Sequence, residues 1–350
     1  MKNIANFVGL FLFAGTVNAQ INVPQVQKSL YGIVEATWCG YCGANGIPIT
    51  NDIITQVGDK AIFFGLHKSS SSQLYSSTAE DIANSIGTTG QPYWTLNGVG
   101  LGSYSATLQS SAISTINTVY NPTTTDVNAG FEWYILDDTL YVETLTEFFG
   151  PANGDYNVAV YLSEDSIYAY QANYDPAIPN GNLYHNHVLR TSLSQNAFGV
   201  QLASGNISSG MTYSNFHKIK IDPSWDLNQI HLSTVIWEGN PGSYTFVNAN
   251  DSGQENLSAS IHSNDVDAIQ LTVFPNPSSD VLTVSTAHLK DNSTLRLYDL
   301  TGKIVYEIKL VKSIDSSVDV NIDELVSGPY VLTITSDNSG KTLSRQVIVQ

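Results

Sequence analysis

The sequence predicts an α/β unit followed by two all-β units, each an antiparallel sandwich. Three observations carry that prediction. The only two cysteines of the chain, Cys39 and Cys42, stand three apart, directly after an apolar strand-like run, Tyr31 to Ala36. Between residues 126 and 264, strand-like runs recur at short intervals, broken by Gly, Asn, Asp and Pro. Beyond residue 265 the composition shifts, and that last stretch holds 7 of the 14 Lys and Arg residues.

The chain opens on Met1-Lys2-Asn3, runs through an apolar segment from Phe7 to Ala14, and reaches Val17-Asn18-Ala19 ahead of Gln20. The apolar run is too short to span a bilayer as a helix. Small residues close it, so residues 1–19 read as a cleaved secretory signal peptide, an uncleaved anchor being the other reading. No cysteine stands at the cleavage point, which excludes acylation there. Export leads through the periplasm to an oxidising space in which a disulfide persists. The formal net charge is −17, with 13% charged and 42% hydrophobic residues. Such a chain buries a core and is a poor nucleic-acid binder, because that affinity rests on neutralising phosphates. No later stretch reaches eighteen apolar residues, so no transmembrane helix is expected in the mature chain.

Residues 20–125 form the α/β unit. Tyr31 to Ala36 reads as a buried strand, and Asn51 to Val57 has apolar residues at helical spacing. Ala61 to His67 is the next strand, and Thr78 to Ile86 a helix capped by Ser77 or Thr78. Tyr93 to Leu96 is a strand entered through Pro92, with Asn97-Gly98 as a hairpin turn. Ala106 to Val119 closes the unit as a helix. A lone C-x-x-C also occurs in zinc sites, but a structural zinc needs about four ligands. The chain has no second cysteine pair, and its seven histidines lie far away in sequence. Cys39 and Cys42 therefore read as a dithiol that needs no metal and no bound cofactor.

A strand, then Trp38-Cys39-Gly40-Tyr41-Cys42 opening a helix, then Gly90-Gln91-Pro92 about fifty residues on, resembles a thioredoxin-like domain. The resemblance implies a cis bond before Pro92, with that proline lying against the dithiol. At a helix N-terminus, unpaired N–H groups and the dipole favour a Cys39 thiolate. Cys39 then attacks a protein disulfide and Cys42 resolves the mixed disulfide, while Trp38 and Pro92 shape the partner groove. Thioredoxins carry a buried acid six residues before the first cysteine, where this chain has Ile33. Glu35 shares that strand face by alternation and is the candidate proton acceptor, its bland alternative being a carboxylate in water. The bland reading of the cysteine pair is a permanent, inert bridge.

The middle unit, 126–264, has strand-like runs Asp126 to Ile135, Thr139 to Phe148, Tyr156 to Ser163, Tyr184 to Thr191, Met211 to Ile221 and Ile230 to Glu238. Tyr184-His-Asn-His-Val-Leu-Arg190 and the run from Asn228 to Trp237 resemble the Omp28-related outer-membrane protein family of Bacteroidetes, over roughly residues 25 to 250. His185 and His187 share a face if their run is one strand, a pairing that suits a metal ion or a polar surface. Tyr168, Tyr170, Tyr174 and Trp237 suit a binding surface or plain packing. No G-x-S-x-G motif marks a hydrolase.

A polar linker around Asn250 to Asn256 and Ser263 to Asp265 precedes the last unit, 265–350. Val273-Phe-Pro-Asn-Pro277, Leu297-Tyr-Asp-Leu-Thr-Gly-Lys303, Leu325-Val-Ser-Gly-Pro-Tyr-Val-Leu332 and the final Ser344-Arg-Gln-Val-Ile-Val349 resemble the C-terminal sorting domain of the type IX secretion system. That resemblance implies passage through the outer membrane by the type IX machinery and a secreted or cell-surface destination. The expected function is thus an exported thiol-disulfide oxidoreductase with a protein redox partner. Its rival is an adhesin-like surface binding protein with a redox-inactive dithiol fold.

Overall fold

The computed structural model describes residues 21–350, apart from 137, 174–176, 178, 195, 252–270, 272, 286–288, 290, 312–316, 339 and 341. The expected signal peptide, Tyr174 and most of the expected linker lie outside the described residues. Among those described, no helix is long and apolar enough to cross a membrane.

The first elements follow the expected order. Strand β1 (Ser29–Val34) leads into a helix that begins at Gly40, opens into a π turn over Cys42–Gly46 and continues as α1 (Ile47–Val57). Pro48 lacks the N–H that an α turn would need, and the ladder shifts so that the Ile47 N–H reaches the Cys42 carbonyl. Then come β2 (Ala61–Leu66), α2 (Ser77–Ile86), β3 (Tyr93–Leu96), β4 (Val99–Gly102) and α3 (Leu108–Val119). Asn97 and Gly98, with φ of 52° and 74°, form the predicted hairpin turn. The α2 cap is Ser76, not Ser77 or Thr78: its extended backbone aims Oγ at the Ala79 N–H. Thr78 Oγ1 instead accepts from the Ser192 N–H.

The middle residues form β5 (Val127–Leu136), β6 (Thr139–Phe148), β7 (Ala152–Asn153), β8 (Tyr156–Glu164), β9 (Ile167–Gln171), β10 (Gly181–His185), β11 (Val188–Ser192), β12 (Val200–Ala203), β13 (Asn206–Ile207), β14 (Thr212–Lys220), β15 (Ile230–Asn240) and β16 (Ser243–Asp251). The run expected as one strand from Tyr184 to Thr191 is broken. At the break Asn186 accepts from the Ser166 N–H, and the His187 N–H is drawn to Asp165 with φ at +58°.

The middle is also not a free-standing sandwich. Strand β11 pairs in parallel with β2 at Val188 and Gly65, and a single nine-stranded sheet results, ordered β16-β15-β8-β11-β2-β1-β3-β4 with β12 beside β8. The expected boundary at 125/126 thus lies within a shared layer. Leu30, Val34, Phe64 and Leu66 pack with α2 residues Ala79, Ile82 and Ala83 and with Tyr161, Val235 and Trp237 from the far strands. On the opposite face Tyr31, Ile33 and Phe63 pack against Ile53 of α1 and Leu108, Ala112 and Ile116 of α3. The second layer beneath the far strands is β14-β6-β5, where Leu140 and Val142 meet Val160, Leu162 and Leu232.

The last unit is all-β, as expected. It comprises β17 (Val273–Phe274), β18 (Val281–Ser285), β19 (Ser293–Tyr298), β20 (Ile304–Leu310), β21 (Ser317–Asn321), β22 (Gly328–Ser336) and β23 (Thr342–Val349). Sheets β17-β18-β21 and β20-β19-β22-β23 enclose a core of its own, with Leu282, Leu295, Leu297, Leu332 and Val347 buried.

Candidate functional site

Cys39 and Cys42 form a disulfide, with Cα atoms 5.2 Å apart. Cys39 directly precedes the helix, and Cys42 lies in its first turn. The Cys42 N–H donates to Cys39 Sγ at 3.2 Å, the kind of contact that stabilises charge on sulfur. Gly46 lies between the proline and the disulfide: a Cβ there would be 3.4 Å from Pro92 Cβ and 3.7 Å from Cys42 Cβ, ordinary contact distances. The bond between Gln91 and Pro92 is cis. Trp38 and Tyr41 project from the loop, 49% and 60% exposed, whereas Cys39 is only 6% exposed and Cys42 fully buried.

What covers Cys39 was not legible in the sequence. Gln171, at the end of β9, donates through Nε2 to the carbonyls of Cys39 at 2.9 Å and Ala36 at 3.5 Å. The next residue, Ala172, donates its N–H to the Thr37 carbonyl at 2.7 Å. A Cβ on Gly43 would meet the Ala172 carbonyl oxygen at 2.4 Å, so only glycine lets this segment lie so close. Gln171 lies 132 residues from Cys39, and no local pattern signals the contact. Strands β9 and β10 form a two-stranded sheet of their own, with Tyr168, Tyr170 and Tyr184 exposed and Tyr168 against Tyr184.

Glu35 is not a strand acid in water; it is 5% exposed. Its Oε1 lies 3.4 Å from His67 Nε2, and His67 Nδ1 lies 3.1 Å from Ser72 Oγ. Ser72 Oγ in turn accepts from the Thr37 N–H at 3.3 Å, which ties the pair to the dithiol loop. Glu35 and Ile33 both line a partly open pocket of about 50 Å³ with Tyr31, Thr50, His185 and His187, so the expected shared strand face holds. Burial raises the Tyr31 phenol above its ordinary range; the Thr50 hydrogen bond opposes the shift and the Glu35 carboxylate adds to it. Burial lowers His185, against the pull of Glu35. Glu35 Oε2, His67 Nε2 and His185 Nε2 are buried without hydrogen-bond partners among the described residues. His67 stood in view as the polar end of an apolar strand; its pairing with Glu35 was not foreseen.

His185 and His187 do not act as a pair. The His185 ring packs edge-on to His67, with centroids 5.8 Å apart. His187 faces Asp165, its Nδ1 3.4 Å from a carboxylate oxygen, and His231 meets the other oxygen at 3.3 Å. Among the described residues no group of three His, Cys, Asp or Glu side chains is arranged to hold a metal ion. Trp237 is buried, donating to the Tyr161 hydroxyl, and serves packing.

Comparison with known proteins follows the same division. Residues 80–256 match the family profile of outer membrane protein Omp28, and residues 272–350 match the secretion system C-terminal sorting domain. The Omp28 match starts beyond the Cys39–Cys42 loop. No curated protein matches the chain. Among solved structures, a domain of the outer membrane lipoprotein Omp28 from Porphyromonas gingivalis is 14% identical, covering 36% of this chain and 86% of that one, with a TM-score of 0.25. Dimeric latent PorU of the same organism is 13% identical, covering 61% and 19%, with a TM-score of 0.28. PorZ, a surface component of its type IX secretion system, is 15% identical, covering 75% and 44%, with a TM-score of 0.21. The family matches, which span half the chain and its C-terminal end, carry the assignment. This chain belongs to the Omp28 outer membrane protein family and ends in a type IX sorting domain, which directs it to the cell surface or beyond.

Proposed function

We propose that this surface-delivered chain is a thiol-disulfide oxidoreductase with a thioredoxin-like first unit, acting through Cys39 and Cys42. The observation that carries the reading is the joint placement of the disulfide at the helix start, the Cys42 N–H on Cys39 Sγ, and Pro92 against Gly46 beside Cys42. In the reduced chain the Cys39 thiolate attacks a protein disulfide, forming a mixed disulfide and releasing one partner thiolate, which takes up a proton. Cys42 then loses its proton, with Glu35 as acceptor, and attacks Cys39 Sγ. The intramolecular bridge re-forms and the partner leaves with its second thiol. The partner has gained two electrons and the dithiol has lost them. A protein dithiol restores the reduced form, and run backwards the same steps oxidise a substrate. Trp38, half exposed beside Cys39, and Pro92 border the path of the incoming chain.

Burial of Cys39 under Gln171 and Ala172 favours a second reading, a surface binding protein with an inert bridge and the exposed tyrosines of β9 and β10 as its contact face. Turnover of a model protein disulfide by the full chain separates the two. The oxidoreductase reading expects turnover that Cys39→Ser abolishes. No turnover in wild type, with a bridge that resists mild reductant, would sink it.

A further inference from the structure

The outward face of the β14-β6-β5 sheet carries a row unlike an ordinary solvated surface. Phe216, Glu143 and Glu132 are direct cross-strand neighbours there, so an aromatic ring and two carboxylates stand side by side. Like charges directly opposite one another disfavour a sheet unless a cation shares them. The cation comes from the last unit: Arg345 Nη2 lies 3.4 Å from Glu143 Oε2, and its Nε donates to the Leu271 carbonyl at 2.7 Å. Burial pushes the Glu132 carboxyl up, and Arg345 pulls it back down. Phe274 stacks on Phe216, with centroids 5.2 Å apart and planes 15° from parallel. Strand β14 is the sheet's edge, and its Ser214 N–H, pointing off that edge, donates to the Asn276 carbonyl at 3.0 Å. An open edge is a template for unwanted pairing, and here segment 274–276 covers it.

We propose that this face is a docking surface whose occupant is the chain's own C-terminal unit. The unit is latched by Phe274, Arg345 and the Asn276 carbonyl; it does not trail free on its linker. Three contacts of different chemistry converge over three residues of β14, Ser214 to Phe216, and each side supplies what the other lacks: ring for ring, guanidinium for carboxylates, carbonyl for an edge N–H. A partly buried ion pair of this kind is screened less by salt than a surface pair. Departure of the unit would uncover an acidic, aromatic sheet edge that accepts a basic, apolar β-segment. Asn276 also holds β23, through Gln346 and Ile348, so variants there would confound docking with folding.

The test is amide hydrogen exchange at Ser214 in the full chain. Wild type is expected to protect it, Arg345→Glu and Phe274→Ala to speed its exchange at least about tenfold, the effect of losing one contact of ordinary net strength. Glu143→Arg combined with Arg345→Glu is expected to restore protection. Equal exchange in wild type and both single variants would show a merely tethered unit and overturn the proposal. A charge swap that fails to slow exchange would overturn the Arg345–Glu143 latch.

Discussion

His217 gives the fold its acid sensitivity at the scale of single residues. It is a buried residue of β14 with Ser194 Oγ 3.2 Å from Nδ1, and burial lowers its pKa from 6.5 to about 4. The folded chain therefore holds a neutral ring where the unfolded chain takes up a proton. Stability from this group is complete above pH 6.5 and is lost as pH falls from there towards 4, by roughly 3 kcal/mol at most. Thermal unfolding followed across that window should steepen in wild type and flatten in His217→Gln. At the same scale the sequence pointed to the Cys39–Cys42 pair by its spacing and, through the thioredoxin-like resemblance, to the cis bond before Pro92, both present in the structure. It failed at Gln171 and at the His67 partner of Glu35, because those contacts are set by strands that meet only in the folded chain.

The hairpin of β9 and β10 is the element that decides access to the dithiol. Gln171 and Ala172 hold it on the Ala36–Cys39 backbone by three hydrogen bonds. Each contributes about 1 kcal/mol. Removing the Gln171 amide, and with it two of these bonds, should raise the population in which Cys39 is open about thirtyfold. The check is the rate at which a small phosphine reduces the bridge in Gln171→Ala against wild type, and an unchanged rate would show that the hairpin does not limit access. Elements themselves were largely legible: β2, the α2 body, β3 and the Asn97-Gly98 turn stand where hydrophobic period and turn residues put them. The run around Asn186 and His187 was not, since a break forced by side chains of Asp165 and Asn186 leaves no trace in apolar periodicity.

Across the whole molecule, the sheet that carries the dithiol loop extends through β11 into β8, β15 and β16. Composition could not reveal this, because the parallel join of β11 to β2 involves backbone groups that any sequence supplies. The consequence for function is that the covering hairpin is rooted at both ends, in β8 and β11, in the same sheet as the strand before Cys39, so its base stays beside the site while its body can lift from Cys39. The C-terminal unit, by contrast, was plain in sequence, because its motifs are local turns and short strands with a core of their own. The account as a whole rests on Cys39 being the attacking sulfur of a working dithiol. The direct measurement uses the full chain with Cys42→Ser, reduced and mixed with a disulfide-bonded model peptide. A stable mixed disulfide that peptide mapping finds on Cys39 is the predicted result. Failure to trap any adduct, even with Gln171→Ala added to open the hairpin, would contradict it and leave the chain a binding protein with an inert bridge.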